Sequence, residues 1–180
     1  CTGDCEFDGF AIDSRAVKKG NMFVCMPGAR VDGHDFAAKA EANGAACFLC
    51  ERPLDTSLPC CIVPDSLKGL QGLGKAYRLA LGVKVVAVTG SVGKTTTKEY
   101  ISSVLSRKYR THKTEGNKNS ETGVPLTLLA VRPEDEVVVT EMGMSAKGEI
   151  SVLTNIACPD IAVITNIGVS HIEQLGSREN

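Results

Sequence analysis

The feature that most constrains the fold is a buried strand that runs directly into a glycine-containing loop and then into a helix. Residues 83–89 (V-K-V-V-A-V-T) are almost continuously apolar, which is typical of a central strand in a parallel sheet. The loop that follows reads Gly90-Ser91-Val92-Gly93-Lys94-Thr95-Thr96, and helical spacing of apolar residues begins after it. This order predicts an α/β domain built on a parallel sheet.

The composition of this loop predicts a phosphate site. Its glycines permit a tight turn that points successive N–H groups at phosphate oxygens, and the helix adds its positive N-terminal end. Lys94 offers a mobile charge for the β- and γ-phosphates, and the Thr95 hydroxyl is a ligand for Mg²⁺. The general pattern has glycine at position 88, where this chain has Val88. We predict nucleotide contacts from Gly90, Ser91, Val92, Gly93, Lys94, Thr95 and Thr96.

The rest of the chain alternates predicted strands with predicted helices. The strands are expected at residues 22–26, 45–50, 60–63, 83–89, 136–141 and 160–165. Helices are expected at 35–43 with Asp35 as the cap and Gly44 as the end, at 66–82, at 149–155, and after the phosphate loop with Tyr100, Ile101, Val104 and Leu105 buried. We therefore predict a small N-terminal α/β domain over residues 1–82 and a P-loop-type parallel-sheet domain over residues 83–180.

Charge and cysteine content exclude several classes of function. Twenty basic and 21 acidic residues leave a net charge of −1, which argues against general binding to nucleic acid or to an anionic membrane. No apolar run reaches the roughly 18 residues that a membrane span needs. The eight cysteines include Cys47 and Cys50, but this pair lies in an apolar run. We interpret the cysteines as reduced, small core residues of a cytoplasmic protein.

Polar residues follow the predicted strands where ligands collect in sheets of this kind. Glu141 ends one strand, and His171 follows the strand at 160–165. Both are expected on the same edge as the phosphate loop, because parallel strands end there. A carboxylate suits Mg²⁺, whereas histidine is a less usual ligand for that ion. A dense polar loop, residues 116–125, precedes an apolar helix, and its spacing alone does not separate a site from a turn.

Taken together, four motifs resemble the Mur ligases of peptidoglycan synthesis. They are T-G-S-V-G-K-T-T at 89–96, G-N-K-N-S-E-T-G-V-P at 116–125, E-M-G at 141–143 and N-I-G-V-S-H-I-E at 166–173. Ligases of this family lack the first P-loop glycine, which accounts for Val88. Ser120 and Thr122 depart from the asparagine and isoleucine that are usual in the family. Residues 13–24, 32–36 and 123–129 resemble the member that adds D-alanyl-D-alanine.

The resemblance implies ATP-driven amide-bond synthesis on UDP-MurNAc-tripeptide, with D-Ala-D-Ala as the incoming amine. In this family, ATP phosphorylates the terminal carboxylate of the peptide, and the amine then attacks the acyl phosphate. It also implies that Lys94 neutralises phosphate charge, that Thr95, Glu141 and His171 hold Mg²⁺, and that Asn119 belongs to the active site. The motif D-S-R at 13–15 implies that Ser14 and Arg15 hold the uridine diphosphate end of the substrate. We expect a monomer.

The same resemblance leads us to expect an incomplete enzyme, cut at both ends. The chain begins Cys1-Thr2-Gly3-Asp4, and residues 177–180 have the character of a helix entry. A carbamylated lysine that the family uses beyond the position of His171 is not in the sequence, and neither is a third domain. We therefore expect weak nucleotide binding without turnover from this chain alone.

Other interpretations stay open at this point. A diaminopimelate- or lysine-adding Mur ligase shares the D-S-R motif. Folylpolyglutamate synthetase shares the fold, but its loop usually continues G-K-G-S. A non-catalytic nucleotide switch or partition-type ATPase would leave D-S-R and D-G-H-D-F without a role. A redox or zinc module that uses the cysteines is the weakest alternative.

Overall fold

The computed structural model describes residues 2–28 and 31–177, and it divides the chain into two compact units. The first unit extends to Leu70 and the second begins at Gln71. This division falls inside a single helix, α2 (Ser66–Leu81). The assignment of separate functional domains on either side of Gly82 remains a prediction. Of the expected helix entry at 177–180, all but Ser177 lies outside the described residues.

The N-terminal unit is a parallel sheet with the strand order β1-β2-β3-β4. Its strands are β1 (Gly9–Ala11), β2 (Asn21–Val24), β3 (Cys47–Cys50) and β4 (Cys60–Ile62). The middle strands β2 and β3 are buried along their whole length, and Phe23 packs edge-on against Phe48. The last three strands were predicted from the sequence. The strand β1 was not predicted, because its three residues are too few to show a strand pattern.

The helix after β2 begins differently from the prediction. A 3₁₀ turn at Gly33–Phe36 leads into α1 (Ala37–Ala42), and Asp32 caps that turn by accepting a hydrogen bond from the N–H of His34 at 2.9 Å. The prediction that Asp35 is the cap was therefore wrong, because the helical turn begins before Asp35. Gly44 ends the helix as predicted, with a φ of +98° that favours glycine.

The second unit is also a parallel sheet, with the order β6-β7-β5-β8. Its elements are β5 (Lys84–Thr89), α3 (Lys94–Leu105), β6 (Thr111–Lys113), α4 (Gly123–Leu129), β7 (Val137–Glu141), α5 (Glu149–Ala157), β8 (Ile161–Ile164) and α6 (Ile172–Leu175). Alternate residues of β5 and β7 bury against helices on both faces, as in other doubly covered parallel sheets. The predicted α/β class is confirmed. No helix in the described ranges is long and apolar enough to cross a membrane.

The buried face of α3 differs from the prediction. Tyr100 and Val104 are 70% and 71% exposed, so their predicted burial was wrong. Ile101 and Leu105 do pack against the sheet, but the fully buried side chains of this helix are Lys98 and Ser102. The periodicity of apolar residues predicted a buried face rotated by one position from the observed one, because two polar residues occupy the centre of the observed face.

The cysteines of the N-terminal unit lie mainly in its core. Cys25, Cys47, Cys50 and Cys60 are buried free thiols. Burial raises the pKa of Cys25 to about 12 and that of Cys50 to about 11, so both thiols are protonated at neutral pH. Across residues 2–28 and 31–177, no three His, Cys, Asp or Glu side chains are grouped as metal ligands.

Leu128 on α4 is fully buried against the second sheet, whereas Leu79 on α2 is 52% exposed. We expect Leu128→Ala to lower the free energy of unfolding by about 2–5 kcal/mol, because it removes buried methyl groups and leaves a cavity. The matched Leu79→Ala change is expected to cost about 0.5 kcal/mol or less. Denaturant titration of both variants measures the difference. Equal losses would contradict the assigned core.

Candidate functional site

The phosphate loop lies between the end of β5 and the start of α3. Gly90 has a φ of +135°, and a Cβ atom built there would lie 2.1 Å from the Oγ1 atom of Thr165. Gly93 has a φ of +80° and immediately precedes the helix. Position 90 therefore requires glycine because a side chain would clash and because φ is positive. Position 93 requires glycine because φ is positive.

The first turn of α3 offers free backbone donors. The first hydrogen bond inside the helix runs from the N–H of Thr97 to the carbonyl of Gly93, at 2.9 Å. The N–H groups of Lys94, Thr95 and Thr96 precede that bond and lie at the positive end of a 12-residue helix. Thr95 and Thr96 are exposed. This turn is suited to bind phosphate oxygens.

The Lys94 side chain folds back over the loop. Its Nζ donates to the carbonyl of Gly90 at 2.7 Å and lies 3.4 Å from the carbonyl of Ser91. A flexible lysine in this position can exchange these carbonyls for phosphate oxygens, which carry more negative charge.

The loop is also tied to the segment that follows β8. The N–H of Ser91 donates to the backbone carbonyl of Asn166, and the N–H of Val92 donates to its side-chain Oδ1, both at 3.1 Å. In return, the N–H of Gly168 donates to the Oγ of Ser91 at 2.8 Å. Two of the predicted phosphate donors are therefore engaged with Asn166 here. Asn166 lies in one of the sequence motifs, but no role was predicted for it.

Glu141 and Asn119 form a second group of predicted site residues. Glu141, at the end of β7, is 3% exposed, and its Oε1 accepts a hydrogen bond from the Nδ2 of Asn119 at 2.9 Å. The main chain of Asn119 is held by Gly143, whose N–H donates to its carbonyl at 2.8 Å. A Cβ atom at Gly143 would lie 3.1 Å from the Asn119 side chain. The amide is thus confined beside the carboxylate.

The two departures from the family loop bond to each other. The hydroxyl groups of Ser120 and Thr122 are 3.1 Å apart, and the Ser120 Oγ accepts from the N–H of Gly123 at 3.3 Å. These contacts stabilise the start of α4 and leave the Asn119–Glu141 bond in place.

One cavity of about 490 Å³ brings several predicted residues together. It is lined by Lys94 from α3, Asn119 from the polar loop and His171 from the segment after β8. A smaller cavity of about 130 Å³ shares Lys94 and His171 and extends over the phosphate loop. His171 adopts a φ of +57°, which is uncommon for a residue with a side chain, and it directly precedes α6.

Glu149 also lines the larger cavity, although it was not predicted as a site residue from the sequence. Its carboxylate accepts hydrogen bonds from the N–H groups of Ser145, at 2.6 Å, and Ala146, at 3.2 Å, and these bonds lower its pKa. It therefore adds a negative charge to the wall of the larger cavity. A glutamate in the first turn of a helix is common because its charge interacts favourably with the positive helix end, so the sequence carried no signal for a site role.

The N-terminal unit contains a separate cavity of about 470 Å³, which Ser14 and Arg15 line. Ser14 is buried, and Arg15 is exposed. The guanidinium group of Arg15 donates to both oxygens of Asp13, through Nε at 3.0 Å and Nη2 at 2.7 Å. These side-chain bonds, followed by the bond from the Arg15 N–H, lower the pKa of Asp13 to about 2.

The donor set around Glu141 fits a magnesium ion. The Oε2 atom of Glu141 is buried and has no hydrogen-bond partner, while Oε1 is held by Asn119. An ion accounts for such an atom, since an unpartnered buried carboxylate oxygen is otherwise costly. Mg²⁺ commonly takes one or two carboxylates and completes its shell with water and phosphate oxygens, so a large protein cluster is not needed.

The sequence matches two family profiles and a relative of known name. Residues 6–130 match the sequence profile of the Mur ligase family catalytic domain, and residues 88–180 match that of the Mur ligase middle domain. A relative from Bacillus subtilis (strain 168), named UDP-N-acetylmuramoyl-tripeptide--D-alanyl-D-alanine ligase, is 49% identical over 174 residues. The alignment covers 95% of this chain and 38% of the relative, so this chain spans well under half of that protein's length.

Solved structures agree with the architecture. A crystal structure of MurF from Acinetobacter baumannii matches with a TM-score of 0.90 and 40% identity, over 94% of this chain and 38% of that one. MurF ligase from Thermotoga maritima, solved in complex with ADP, matches with a TM-score of 0.86 and 41% identity, over 95% of this chain and 40% of that one. Since the two profile matches together span residues 6–180, the chain belongs to the Mur ligase family.

Proposed function

We propose that the protein acts in an ATP-dependent ligase that adds D-Ala-D-Ala to UDP-MurNAc-tripeptide in the cytoplasm. The observation that carries this proposal is the cavity in which Lys94, Asn119 and His171 meet, beside the buried carboxylate of Glu141. The relative from Bacillus subtilis bears the name of this activity, and the MurF of Thermotoga maritima binds ADP. Both were matched over most of this chain.

In this proposal, the second unit binds the nucleotide and activates the phosphoryl group. The loop from Gly90 to Thr96 surrounds the phosphates, with donors from the first turn of α3, and Lys94 exchanges loop carbonyls for phosphate oxygens. Thr95, Glu141 and His171 would hold Mg²⁺, which supplies charge neutralisation when it is bound. Asn119 keeps the Glu141 carboxylate in one orientation. Phosphoryl transfer depends mainly on such positioning and electrostatics.

The N-terminal unit binds the uridine diphosphate end of the substrate in the same proposal. Arg15 is exposed at its cavity and uses only part of its planar donor set on Asp13. The remaining donors are available to a phosphate, which guanidinium groups bind well. Ser14 lines the same cavity and would add a hydrogen bond to the substrate.

An acceptor assay tests the proposed activity directly. With the longest chain that the gene encodes, we expect phosphate release from ATP that requires both UDP-MurNAc-tripeptide and D-Ala-D-Ala. Lysine or diaminopimelate, offered with UDP-MurNAc-dipeptide, is expected to give no release. Release with either of these amino acids instead would assign the protein to another member of the family.

Lys94→Ala tests the phosphate loop in the present chain. We expect at least a tenfold loss of affinity for ADP and ATP, because a charge-assisted contact worth about 1.5–3 kcal/mol is removed. Isothermal titration calorimetry measures the loss. Lys108→Ala, at an exposed position beyond the end of α3, is the control and should bind as the parent does. Equal affinities for the parent and Lys94→Ala would refute the assignment.

Arg15→Met tests the uridine diphosphate site. Without the guanidinium group, the pKa of Asp13 is expected to rise from about 2 toward its ordinary value of 3.8, as measured by NMR titration. Because the folded pKa is the lower one, the pair stabilises the fold above about pH 4, and this contribution is lost as the pH falls through about 2. The variant should also bind UDP-MurNAc-tripeptide at least about tenfold more weakly. Lys68→Met is the control, and unchanged binding by Arg15→Met would exclude the role.

A further inference from the structure

Lys98 is a buried ammonium group one turn beyond the phosphate loop, and the proposed function gives it no role. The residue is 1% exposed. Its Nζ donates to the backbone carbonyl of Thr114 at 2.8 Å and pairs with the Oε1 atom of Glu99 at 3.0 Å. Burying a charge is unfavourable unless fixed partners satisfy it. An apolar side chain would fill this position without that cost, so the ammonium group has a use beyond packing.

Thr114 is the residue through which Lys98 reaches the proposed metal site. It is fully buried, and its N–H donates to the carbonyl of Val139 at 3.0 Å, which extends the pairing of β6 with β7. Its Oγ1 accepts a hydrogen bond from the N–H of Glu141 at 3.0 Å. One residue therefore joins the ammonium group on α3 to the backbone of the carboxylate at the end of β7.

The loop that carries Asn119 starts from the same residue. Thr114 begins the connection from β6 to α4, and Asn119 lies five positions later. The Asn119 side chain then returns to Glu141 through the bond to Oε1. Glu141 is thus held at its backbone by Thr114 and at its side chain by Asn119, and Lys98 anchors the point from which this loop leaves the sheet.

We propose that Lys98, on α3, is a positioning residue that fixes the position of the Glu141 carboxylate through Thr114. The contact chain is Lys98 Nζ to the Thr114 carbonyl, and Thr114 Oγ1 to the Glu141 N–H. α3 begins at the phosphate loop, so the same helix carries the phosphate donors and the anchor of the carboxylate. The role of Lys98 toward Mg²⁺ rests on the proposed function, whereas the chain of hydrogen bonds from Lys98 to Glu141 does not.

Hydrogen exchange tests the contact chain without any ligand. In Lys98→Met, we expect the amide of Glu141 to exchange at least about tenfold faster than in the parent, as followed by NMR. The amide of Val85, which donates to Asp160 on another part of the sheet, is the internal reference and should be unchanged. Lys108→Met is the matched control for loss of a lysine. An unchanged rate at Glu141 would overturn the proposal.

Measurements of ADP affinity distinguish a role of Lys98 in positioning Glu141 from a general effect on folding. We expect the ratio of ADP affinity with Mg²⁺ to ADP affinity in EDTA to fall about tenfold or more in Lys98→Met, as when partners of metal ligands are removed. Affinity in EDTA is expected to stay within about twofold of the parent, because the phosphate donors remain. Equal losses under both conditions would make Lys98 a structural residue only, and would overturn the proposal.

Thr114→Val keeps the proposal testable if Lys98→Met does not fold. It removes the acceptor of the Glu141 N–H but keeps the shape of the side chain and the carbonyl that binds Lys98. We expect faster exchange at Glu141 and a lower Mg²⁺ ratio, whereas Thr114→Ser should match the parent. Parent-like behaviour of Thr114→Val would overturn the contact chain. The acceptor assay tests the proposed function, whereas exchange at Glu141 decides the role of Lys98 without any nucleotide, so failure of one proposal is distinguishable from failure of the other.

Discussion

The parallel pairing of β7, β5 and β8 is the constraint on which the site depends. Val88 pairs with Glu141, and Thr89 pairs with Ile164, so the three strands end at the same edge of the sheet. The phosphate loop, the buried carboxylate and the segment that leads to His171 leave from these ends. A change of one residue in this register would turn Glu141 to the other face of the sheet and separate it from Asn119.

A second principle of this site is that buried polar groups are held by short chains of hydrogen bonds. Glu141 is bonded through its backbone to Thr114 and through its side chain to Asn119, and Thr114 is bonded in turn to Lys98. Such a network costs desolvation, but it selects a single arrangement when its members are satisfied. Within this network the Oε2 of Glu141 has no hydrogen-bond partner, and it is the atom to which our proposal assigns the metal.

Prediction from sequence succeeded where local patterns carry the information. Continuous apolar runs predicted β5 and β7, and the glycines between strand and helix predicted the tight turn that leads into α3. It failed for α3, because its buried face is centred on Lys98 and Ser102, and a search for apolar periodicity passes over polar residues. It also gave no role to Asn166 or Glu149, since a bond across 74 residues and a glutamate in the first turn of a helix leave no distinctive local pattern.

The sequence by itself determined the α/β class, the phosphate loop and the identity of the polar residues at the strand ends, because these follow from periodicity and from short motifs. Only the tertiary structure decided which of these residues lie together. Lys94, Asn119 and His171 share one cavity, whereas Ser14 and Arg15 line another in the N-terminal unit. The physical reason is that strand order and register, which no local segment encodes, determine which chain ends become neighbours.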